Sequence, residues 1–398
     1  MLHQPYDVEI VTPCFLGGSR DLAEWRGASI RGQLRWWFRA VAGARFAGDL
    51  DAVRTAEEEL FGSTRRSSAV RVSPSRGPEA EKGEGGEALL DDGVTPEELA
   101  ERWGDRSPST VNRLRLQRGS TSNPLHYLAY GPVARGRLER PLLPSRTPVR
   151  FTLQWVRKPS QDAMEMFSLA LRAWLCLGGI GARSRKGFGS LHLQGLDRKA
   201  FEDTVRELLA LGRGFAGEPE WTCFSGRSRV LVGDQGFPQG EEALSYLGSW
   251  MIAFRRRYGK ATDGRSYGGL AVANRDYEWA SPRGSRPRQG IPDRIGFGLP
   301  LPFTRKVEGQ FLGESVVWGP GEKDPRRASP LLLHVARFGK SYFPVLTHLP
   351  ARFLPAGAKL GFKDHPFPPE DKVEPHRPGI VDHFLDDLAG KNLVKEIA

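Results

Sequence analysis

The sequence predicts an α+β protein, because short segments of alternating polarity lie between segments whose apolar residues recur at helical spacing. Residues 6–11 and 149–155 alternate in the way that is typical of a strand with one buried face. The chain has 398 residues, of which 39% are hydrophobic and 26% charged. This length and composition suit two domains with buried cores.

The first half, residues 1–211, shows these elements in an informative order. Ser29 is the expected N-cap of its first helix, which has apolar residues at 30, 34, 37, 38 and 41. The elements in chain order are a strand at 6–11, helices at 29–41 and 52–60, strands at 69–72 and 149–155, a helix at 164–177, a glycine-rich loop and a strand at 190–194. This order predicts a split βαβ, or ferredoxin-like, domain.

An acidic insertion interrupts this domain at about residues 73–124, where Pro, Gly and Ser are frequent. The stretch from Glu79 to Asp105 has ten acidic and two basic residues, a net charge of −8. We expect a mobile, solvated excursion with one short helix near residues 95–103.

The second half, residues 212–398, begins after a helix at 199–211. It contains a helix at 241–258 that ends in Arg255-Arg256-Arg257, and an arginine- and glycine-rich stretch at 259–294 that we expect to be poorly ordered. Residues 329–337 and 342–349 predict a β-hairpin. A C-terminal helix with Ile380, Phe384 and Leu388 on one face should cover a core as a lid.

The overall charge of +11 and the excess of arginine indicate a polyanionic partner, of which nucleic acid is the first candidate. The three cysteines exclude a disulfide scaffold and a CxxC zinc site, and they suit a reducing cytosol. We find no apolar run of membrane-spanning length and no signal-peptide pattern at residues 1–4, so we expect a soluble cytoplasmic protein without a membrane partner.

The first motif with binding potential is the arginine-rich helix. Arg31, Arg35 and Arg39 are spaced four residues apart and should form one stripe, with Arg26 and Ser29 at the helix start. Like charges at this spacing cost stability unless something compensates them, which favours phosphate binding over a merely solvated edge. Trp36 should point away from the apolar face and could stack on a base or pack on a neighbouring loop.

The second motif is the glycine-rich loop at residues 178–190, which contains Gly181, Arg183, Ser184, Arg185 and Lys186. It is neither a Walker loop nor a dinucleotide fingerprint, because Lys186 precedes Gly187 and the third glycine position holds Ser184. Three cations in a glycine loop favour contact with an RNA backbone over a plain turn.

Two further features are weaker. Arg326 and Arg327 precede a predicted strand and, on physical grounds alone, form a basic turn. The histidines lack metal-ligand spacing, and no catalytic triad can be argued, so we expect no metal, no cofactor and no catalytic residue.

Three motifs of the first half resemble the N-terminal signature of CRISPR RAMP proteins: TPCFLGG at 12–18, SIRGQLRWWFR at 29–39 and LFGS at 60–63. The glycine-rich loop resembles the hallmark of that superfamily. RRASPL at 326–331, after GLP at 298–300, is similar to the family of first subunits of type III-B Cmr effector complexes.

This resemblance implies two tandem ferredoxin-like (RRM-like) domains in a cytoplasmic ribonucleoprotein of antiviral defence. It also implies a non-catalytic subunit that caps the backbone at the guide 3′ end, contacts guide RNA (crRNA) and target RNA, and neighbours other Cmr RAMP subunits. The candidate RNA-binding residues are Arg26, Ser29, Arg31, Arg35, Trp36, Arg39, Gly181, Arg183, Ser184, Arg185, Lys186, Arg326 and Arg327.

Two alternatives remain open. A RAMP endoribonuclease that processes guide RNA would have its glycine loop near the C-terminus and a positioned histidine, whereas about half of this chain follows the loop. A nucleotide-binding enzyme would use residues 178–190 as a phosphate loop and should bind ATP or NAD without RNA.

Overall fold

The computed structural model describes most of the chain. The described residues are 3–18, 22–75, 77, 79–80, 89, 93–114, 122–134, 137–257, 293–299, 301–307, 310–318, 326–354, 360–362, 365–366 and 379–398. The arginine- and glycine-rich stretch predicted to be poorly ordered lies outside them, apart from residues 293–294, which begin a short 3-10 helix.

The fold is a mixed α/β architecture with antiparallel sheets. The strands are β1 His3–Ile10, β2 Ala23–Glu24, β3 Val70–Pro74, β4 Glu79–Ala80, β5 Val133–Ala134, β6 Arg137–Leu138, β7 Thr147–Trp155, β8 Leu191–Leu193, β9 Arg229–Gly233, β10 Leu301–Val307, β11 Gln310–Trp318, β12 Leu331–Phe338, β13 Ser341–His348, β14 Leu360–Phe362, β15 His365–Pro366 and β16 Val394–Glu396. The helices are α1 Gly27–Arg45, α2 Leu50–Phe61, α3 Pro96–Arg102, α4 Pro108–Leu114, α5 Pro124–Ala129, α6 Gln161–Leu177, α7 Arg198–Arg213, α8 Gly240–Arg257 and α9 Ile380–Gly390.

The first sheet has the strand order β3-β7-β1-β8, and all neighbours are antiparallel. Helix α1 connects β1 to β3, and α6 connects β7 to β8. Tyr6 pairs with Phe151 and Val8 with Val149. The alternation seen in the sequence therefore places apolar residues of the two strands directly opposite each other.

The second sheet repeats this arrangement with the order β12-β13-β9-β16, again fully antiparallel. Helix α8 leads from β9 towards β12, and α9 leads from β13 towards β16. In both sheets, therefore, the strands numbered by appearance lie in the order second, third, first, fourth.

The hairpin predicted in the second half is confirmed, because β12 and β13 pair around Gly339 and Lys340. The C-terminal helix covers a core, as predicted, because its apolar residues pack into the cluster that contains α8. Phe384 of α9 is fully buried on the second sheet, and the chain then continues into β16 at the edge of that sheet. The short strand β16 was missed because only Val394 and Ile397 indicate it.

The second sheet lies between two hydrophobic cores. Val232, Leu332 and Val345 pack into the core of the first half, whereas Leu331 and Leu333 face the core that contains α8 and α9. Because β12 is buried on both faces, the two halves share apolar surface rather than being joined by a linker alone.

The acidic insertion at 73–124 is packed in its described part, which corrects the expectation of a mobile excursion. Thr95 caps α3 in a capping box, and Trp103 is fully buried in the core with α8. The indole nitrogen of Trp250 donates to the Arg102 carbonyl at 2.8 Å. Apolar residues between the acidic ones anchor this segment on the second half.

Among the residues that the structure describes, no helix is both long and apolar enough to cross a bilayer.

Candidate nucleic-acid interface

Helix α1 forms one wall of the candidate site. It begins at Gly27 with Arg26 as N-cap, so Ser29 lies in the first turn and is not the cap. This corrects the predicted helix start, which assumed that a serine hydroxyl would hold the free backbone N–H groups. Ile30, Leu34 and Phe38 are fully buried and fix the rotation of the helix.

A buried glutamate compensates the arginine stripe. Arg35 Nε and Arg39 Nη2 each donate to Glu57 Oε1 at 2.7 Å. Burial alone would raise the pKa of Glu57, but the hydrogen bonds from Arg39 and Arg35 outweigh it and the pKa is lowered. Glu57 is therefore ionised, and it cancels one of the two positive charges.

Arg35 and Arg39 remain accessible despite this pairing. Their side chains are 39% and 48% exposed, whereas that of Glu57 is 8% exposed. Each guanidinium has five N–H donors in a planar fork, so a carboxylate shared between two arginines leaves donors directed to solvent.

Arg31 turns inward and has a structural contact set. It donates to the Phe61 carbonyl and, at 3.2 Å, to the Ser68 hydroxyl, and burial lowers its pKa. Arg26 is exposed at the start of the helix. The assignment of both arginines to RNA stays a prediction.

The glycine-rich loop is held at both ends. Its start is fixed by His334 Nδ1, which lies 2.7 Å from the Gly178 carbonyl oxygen. Near its end, Thr12 Oγ1 and Ser190 Oγ donate to the Gly187 carbonyl at 2.6 and 3.0 Å. Side chains of distant segments therefore fix the loop near both ends.

Gly181 has a structural reason for being glycine. Its φ is +88°, and a Cβ there would lie 2.6 Å from the Phe15 carbonyl oxygen. This close approach lets the next residue, Ala182, donate its N–H to Phe15 at 2.8 Å.

Arg185 carries the loop's charge into the site. Its Nη1 donates to the Ser329 carbonyl at 2.8 Å, and its guanidinium lies 4.8 Å from the Trp36 ring centre. Burial, together with the neighbouring charge of Arg327, lowers its pKa to about 10. Trp36 thus packs on the loop while remaining half-buried.

Arg327 joins the same region from the second half. It pairs with Leu299 through backbone hydrogen bonds of 2.7 and 3.2 Å, and its Nη2 donates to the Arg352 carbonyl at 2.7 Å. Burial lowers its pKa. This pairing places residue 299 of the GLP motif beside the RRASPL motif.

These elements meet at a cleft of about 690 Å³. We call it the arginine cleft; its lining residues are Arg35, Trp36, Arg39, Leu50, Val53, Arg54, Glu57, Glu58, Gly62, Ser63, Arg185, Trp221, Thr222, Arg327 and Ala328. Five arginines and two glutamates give this lining a formal charge of +3. Two tryptophans in a cationic cleft offer stacking surface and phosphate contacts together.

The structure thus brings five of the predicted residues to one cleft, from all three motifs: Arg35, Trp36, Arg39, Arg185 and Arg327. The other eight do not line it: Arg26, Ser29, Arg31, Gly181, Arg183, Ser184, Lys186 and Arg326. Arg54 and Trp221 were not predicted from the sequence. The only signal for Arg54 was its place on the short helix that also supplies Glu57.

Comparison with known families defines the class of the protein. Residues 7–192 match the model of the RAMP superfamily. This match begins within β1 and covers the arginine-rich helix and the whole glycine-rich loop, so this part of the chain is similar to the RAMP superfamily. The resemblance drawn from the motifs is confirmed.

Individual relatives narrow the comparison. The chain is 26% identical over 373 residues to the CRISPR system Cmr subunit Cmr1-1 of Pyrococcus furiosus, covering 89% of this chain and 90% of the relative. It is 44% identical over 68 residues to Cmr1-2 of the same organism, covering 17% and 36%. The crystal structure of apo Cmr1 from Pyrococcus furiosus matches with a TM-score of 0.52 and 19% identity, covering 100% and 99%, and supports the fold.

Proposed function

We propose that the chain is a non-catalytic, RNA-binding subunit of a type III-B Cmr ribonucleoprotein, in which it caps the backbone at the guide 3′ end and contacts guide and target RNA. The similarity to Cmr1-1, which spans nine-tenths of that relative, supports the assignment to the complex. In guided systems base pairing carries the sequence information, so this subunit needs only to hold backbones and ends.

For the fold, we propose two tandem ferredoxin-like domains, with residues 1–211 and 212–398 as their extents. The shared strand order of the two sheets, with a helix after the first strand and before the last, supports this duplication. The arginine cleft has lining residues from both proposed domains, so a duplication would create the cleft where neither domain alone has one.

The convergence of the three motifs on the arginine cleft is the observation that carries the RNA-binding proposal. Arg39 and Arg327 are far apart in sequence and belong to different halves, yet they line one cleft with Trp36. Arginines that outnumber their acidic partners and lie beside aromatic side chains are typical of sequence-tolerant binding to single-stranded nucleic acid.

A non-catalytic role fits the ionisation of the cleft. Glu57, which accepts hydrogen bonds from two arginines, has a lowered pKa and is a poor proton donor and a poor base. The described residues contain no group of three or more His, Cys, Asp or Glu side chains that could hold a metal.

The test is RNA binding by the full chain carrying Arg39→Ala and Arg327→Ala together. Fluorescence anisotropy with guide RNA, alone and paired with target, should show about tenfold weaker binding, and the slope of log K against log[salt] should fall by about 0.7 for each phosphate that is no longer neutralised. The matched control is Arg198→Ala with Arg206→Ala; both side chains lie on α7 and pair with Glu202.

Unchanged affinity and salt slope in the cleft variant would contradict the proposal. Incubation with repeat RNA and calorimetry with ATP and NAD complete the test, because specific cleavage or nucleotide binding would favour the two alternative functions.

A further inference from the structure

A second, smaller cavity lies on the second half and shares no lining residue with the arginine cleft. Its volume is about 170 Å³, and its lining residues include Asp234, Gln235, Phe237, Tyr246, Trp250 and Leu393. We call this cavity the aromatic pocket. Sites for nucleotides and other small molecules typically measure about 300 Å³ or more, so the aromatic pocket is of a size to take one protruding side chain.

Three aromatic residues form the wall of the pocket. The ring centres of Phe237 and Tyr246 are 4.3 Å apart, and the rings of Tyr246 and Trp250 meet nearly at a right angle at 6.5 Å. Phe237 exchanges two backbone hydrogen bonds of 2.8 Å with Tyr342 of β13, and the Trp250 indole N–H donates to the Arg102 carbonyl at 2.8 Å. The backbone of Phe237 and the ring of Trp250 are therefore held in place in the free protein, which lowers the cost of binding.

One ring of the wall already contacts a guanidinium on its outer side. The guanidinium carbon of Arg102 lies 4.7 Å from the Tyr246 ring centre, and Arg102 Nη1 donates to the hydroxyls of Ser245 and Ser249 at 2.9 and 3.1 Å. Arg102 does not line the pocket, so it approaches Tyr246 from outside. Aromatic rings attract guanidinium groups through their negative faces, and the pocket offers the same kind of surface to a guanidinium from another molecule.

A carboxylate lies at the rim of the pocket. The Asp234 side chain is 49% exposed, and its Oδ1 lies 2.6 Å from Lys395 Nζ, whose side chain is 74% exposed. Ion pairs as exposed as this one contribute little net free energy. An incoming guanidinium can therefore displace Lys395 or share the carboxylate with it. An apolar ligand would instead remove water from a charged group without replacing its hydrogen bonds.

The elements around the pocket are acidic, although the whole chain has a net charge of +11. Glu242 is exposed one helical turn before Tyr246. Helices α3 and α9 together contain six acidic residues and one arginine. Gly104, just after α3, lies beside the pocket, since a Cβ there would be 3.7 Å from Leu393 Cδ2. This charge is complementary to a basic partner and opposite to the charge that attracts RNA.

We propose that the aromatic pocket is a docking site for an arginine side chain of a protein partner. Arginine fits better than lysine, because its planar guanidinium stacks on aromatic rings and pairs with a carboxylate through two parallel hydrogen bonds. Arginine, tryptophan and tyrosine are also the residues that contribute most to binding at protein interfaces. The inference rests on the proposed membership of a Cmr complex, because another subunit of that complex would supply the arginine.

The experiment uses the full chain and a fluorescein-labelled peptide of Arg-Ser repeats, followed by fluorescence anisotropy. Gln235→Trp places a large ring at the exposed rim of the pocket and should weaken peptide binding about tenfold. The matched control is Gln239→Trp, the same substitution at an exposed residue that does not line the pocket. It should bind the peptide like the wild type, and circular dichroism checks that both variants fold.

Two further measurements test the charge. A peptide with citrulline in place of each arginine keeps the shape but not the charge, and it should bind about tenfold more weakly than the arginine peptide. Lys395→Ala removes the side chain that competes for Asp234, so it should strengthen binding of the arginine peptide about threefold. Equal affinities for the two peptides would overturn the assignment to arginine.

The outcomes also separate this inference from the proposed RNA-binding function. If Gln235→Trp and Gln239→Trp bind the peptide equally well, the docking site is wrong and RNA binding in the arginine cleft is unaffected. If the wild type binds the peptide at the pocket but binds no guide RNA, the docking site stands and the proposed function fails. If Gln235→Trp weakens binding of guide RNA and not of the peptide, the pocket holds a nucleobase and the assignment to a protein partner is wrong.

Discussion

The arginine cleft and the other side of the glycine-rich loop, with Arg183 and Lys186, both contain cationic side chains, but the surroundings of these charges differ. In the cleft, Glu57 receives hydrogen bonds from both Arg35 and Arg39, so α1 can carry its arginines without an external ligand. On the other side of the glycine-rich loop, no carboxylate among the described residues pairs with Arg183 or Lys186, and burial, followed by neighbouring cations, lowers the pKa of both. The carboxylate of Glu57 thus favours the charged form of the cleft arginines, whereas burial beside other cations favours the neutral form of Lys186.

The largest effect is expected from a substitution that removes the carboxylate shared by the cleft arginines Arg35 and Arg39. Glu57→Gln removes charge-assisted hydrogen bonds from two arginines, so it should lower the free energy of unfolding by about 2 kcal/mol. Urea denaturation measures this change. Glu58→Gln is the matched control, because Glu58 lines the same cleft without a side-chain hydrogen bond in the described structure. Equal midpoints for the two variants would mean that Glu57 is not the compensating group.

A smaller effect concerns pH and sharpens the contrast between the cleft arginines and Lys186. Lys186 faces Arg183 and Arg185 of its own loop, Arg255 of α8 and the apolar Leu333 of β12, and its pKa is lowered to about 7. A bound phosphate would raise that pKa, so RNA binding should take up a proton. Affinity should fall about tenfold between roughly pH 6 and pH 8, as followed by anisotropy.

The control for this pH dependence is Lys186→Arg, which keeps its charge over the whole range and should give a flat profile. The pH dependence of folding stability is a separate effect of the same side chain. Because the folded pKa of Lys186 lies below the unfolded value of 10.5, the unfolded chain binds more protons between about pH 7 and pH 10.5, and the contribution of Lys186 to stability rises with pH there. A wild-type affinity profile as flat as that of Lys186→Arg would contradict the account.

Much of the fold could be predicted from the sequence, because the spacing of apolar residues indicates which face of a helix or strand is buried. The strands at β1 and β7, the helices α1 and α6, and the hairpin of β12 and β13 all had clear patterns. The packing of α3 on α8 had no such signal, because Trp103 and its apolar neighbours are diluted among acidic residues. Strand β16 has only three residues, which is too short for an alternating pattern to be recognised.

The candidate site was predictable as a set of motifs but not as a geometry. Arginines in the three motifs could be read directly, and Arg35, Arg185 and Arg327 do meet. Their meeting depends on contacts between distant segments, such as the pairing of Leu299 with Arg327. Glu57, which pairs with the cleft arginines, lies on the neighbouring helix α2. The inward orientation of Arg31 depends on its hydrogen bonds to backbone carbonyls, which no sequence pattern indicates.

The central claim is that RNA lies in the arginine cleft, and photo-crosslinking tests it most directly. Guide RNA carrying 4-thiouridine is irradiated with the full chain, and crosslinked peptides are identified by mass spectrometry. The account predicts crosslinks at the cleft tryptophans, Trp36 and Trp221, which disappear at high salt. Crosslinks confined to α7, with none on α1, the glycine-rich loop or residues 221–222, would contradict it.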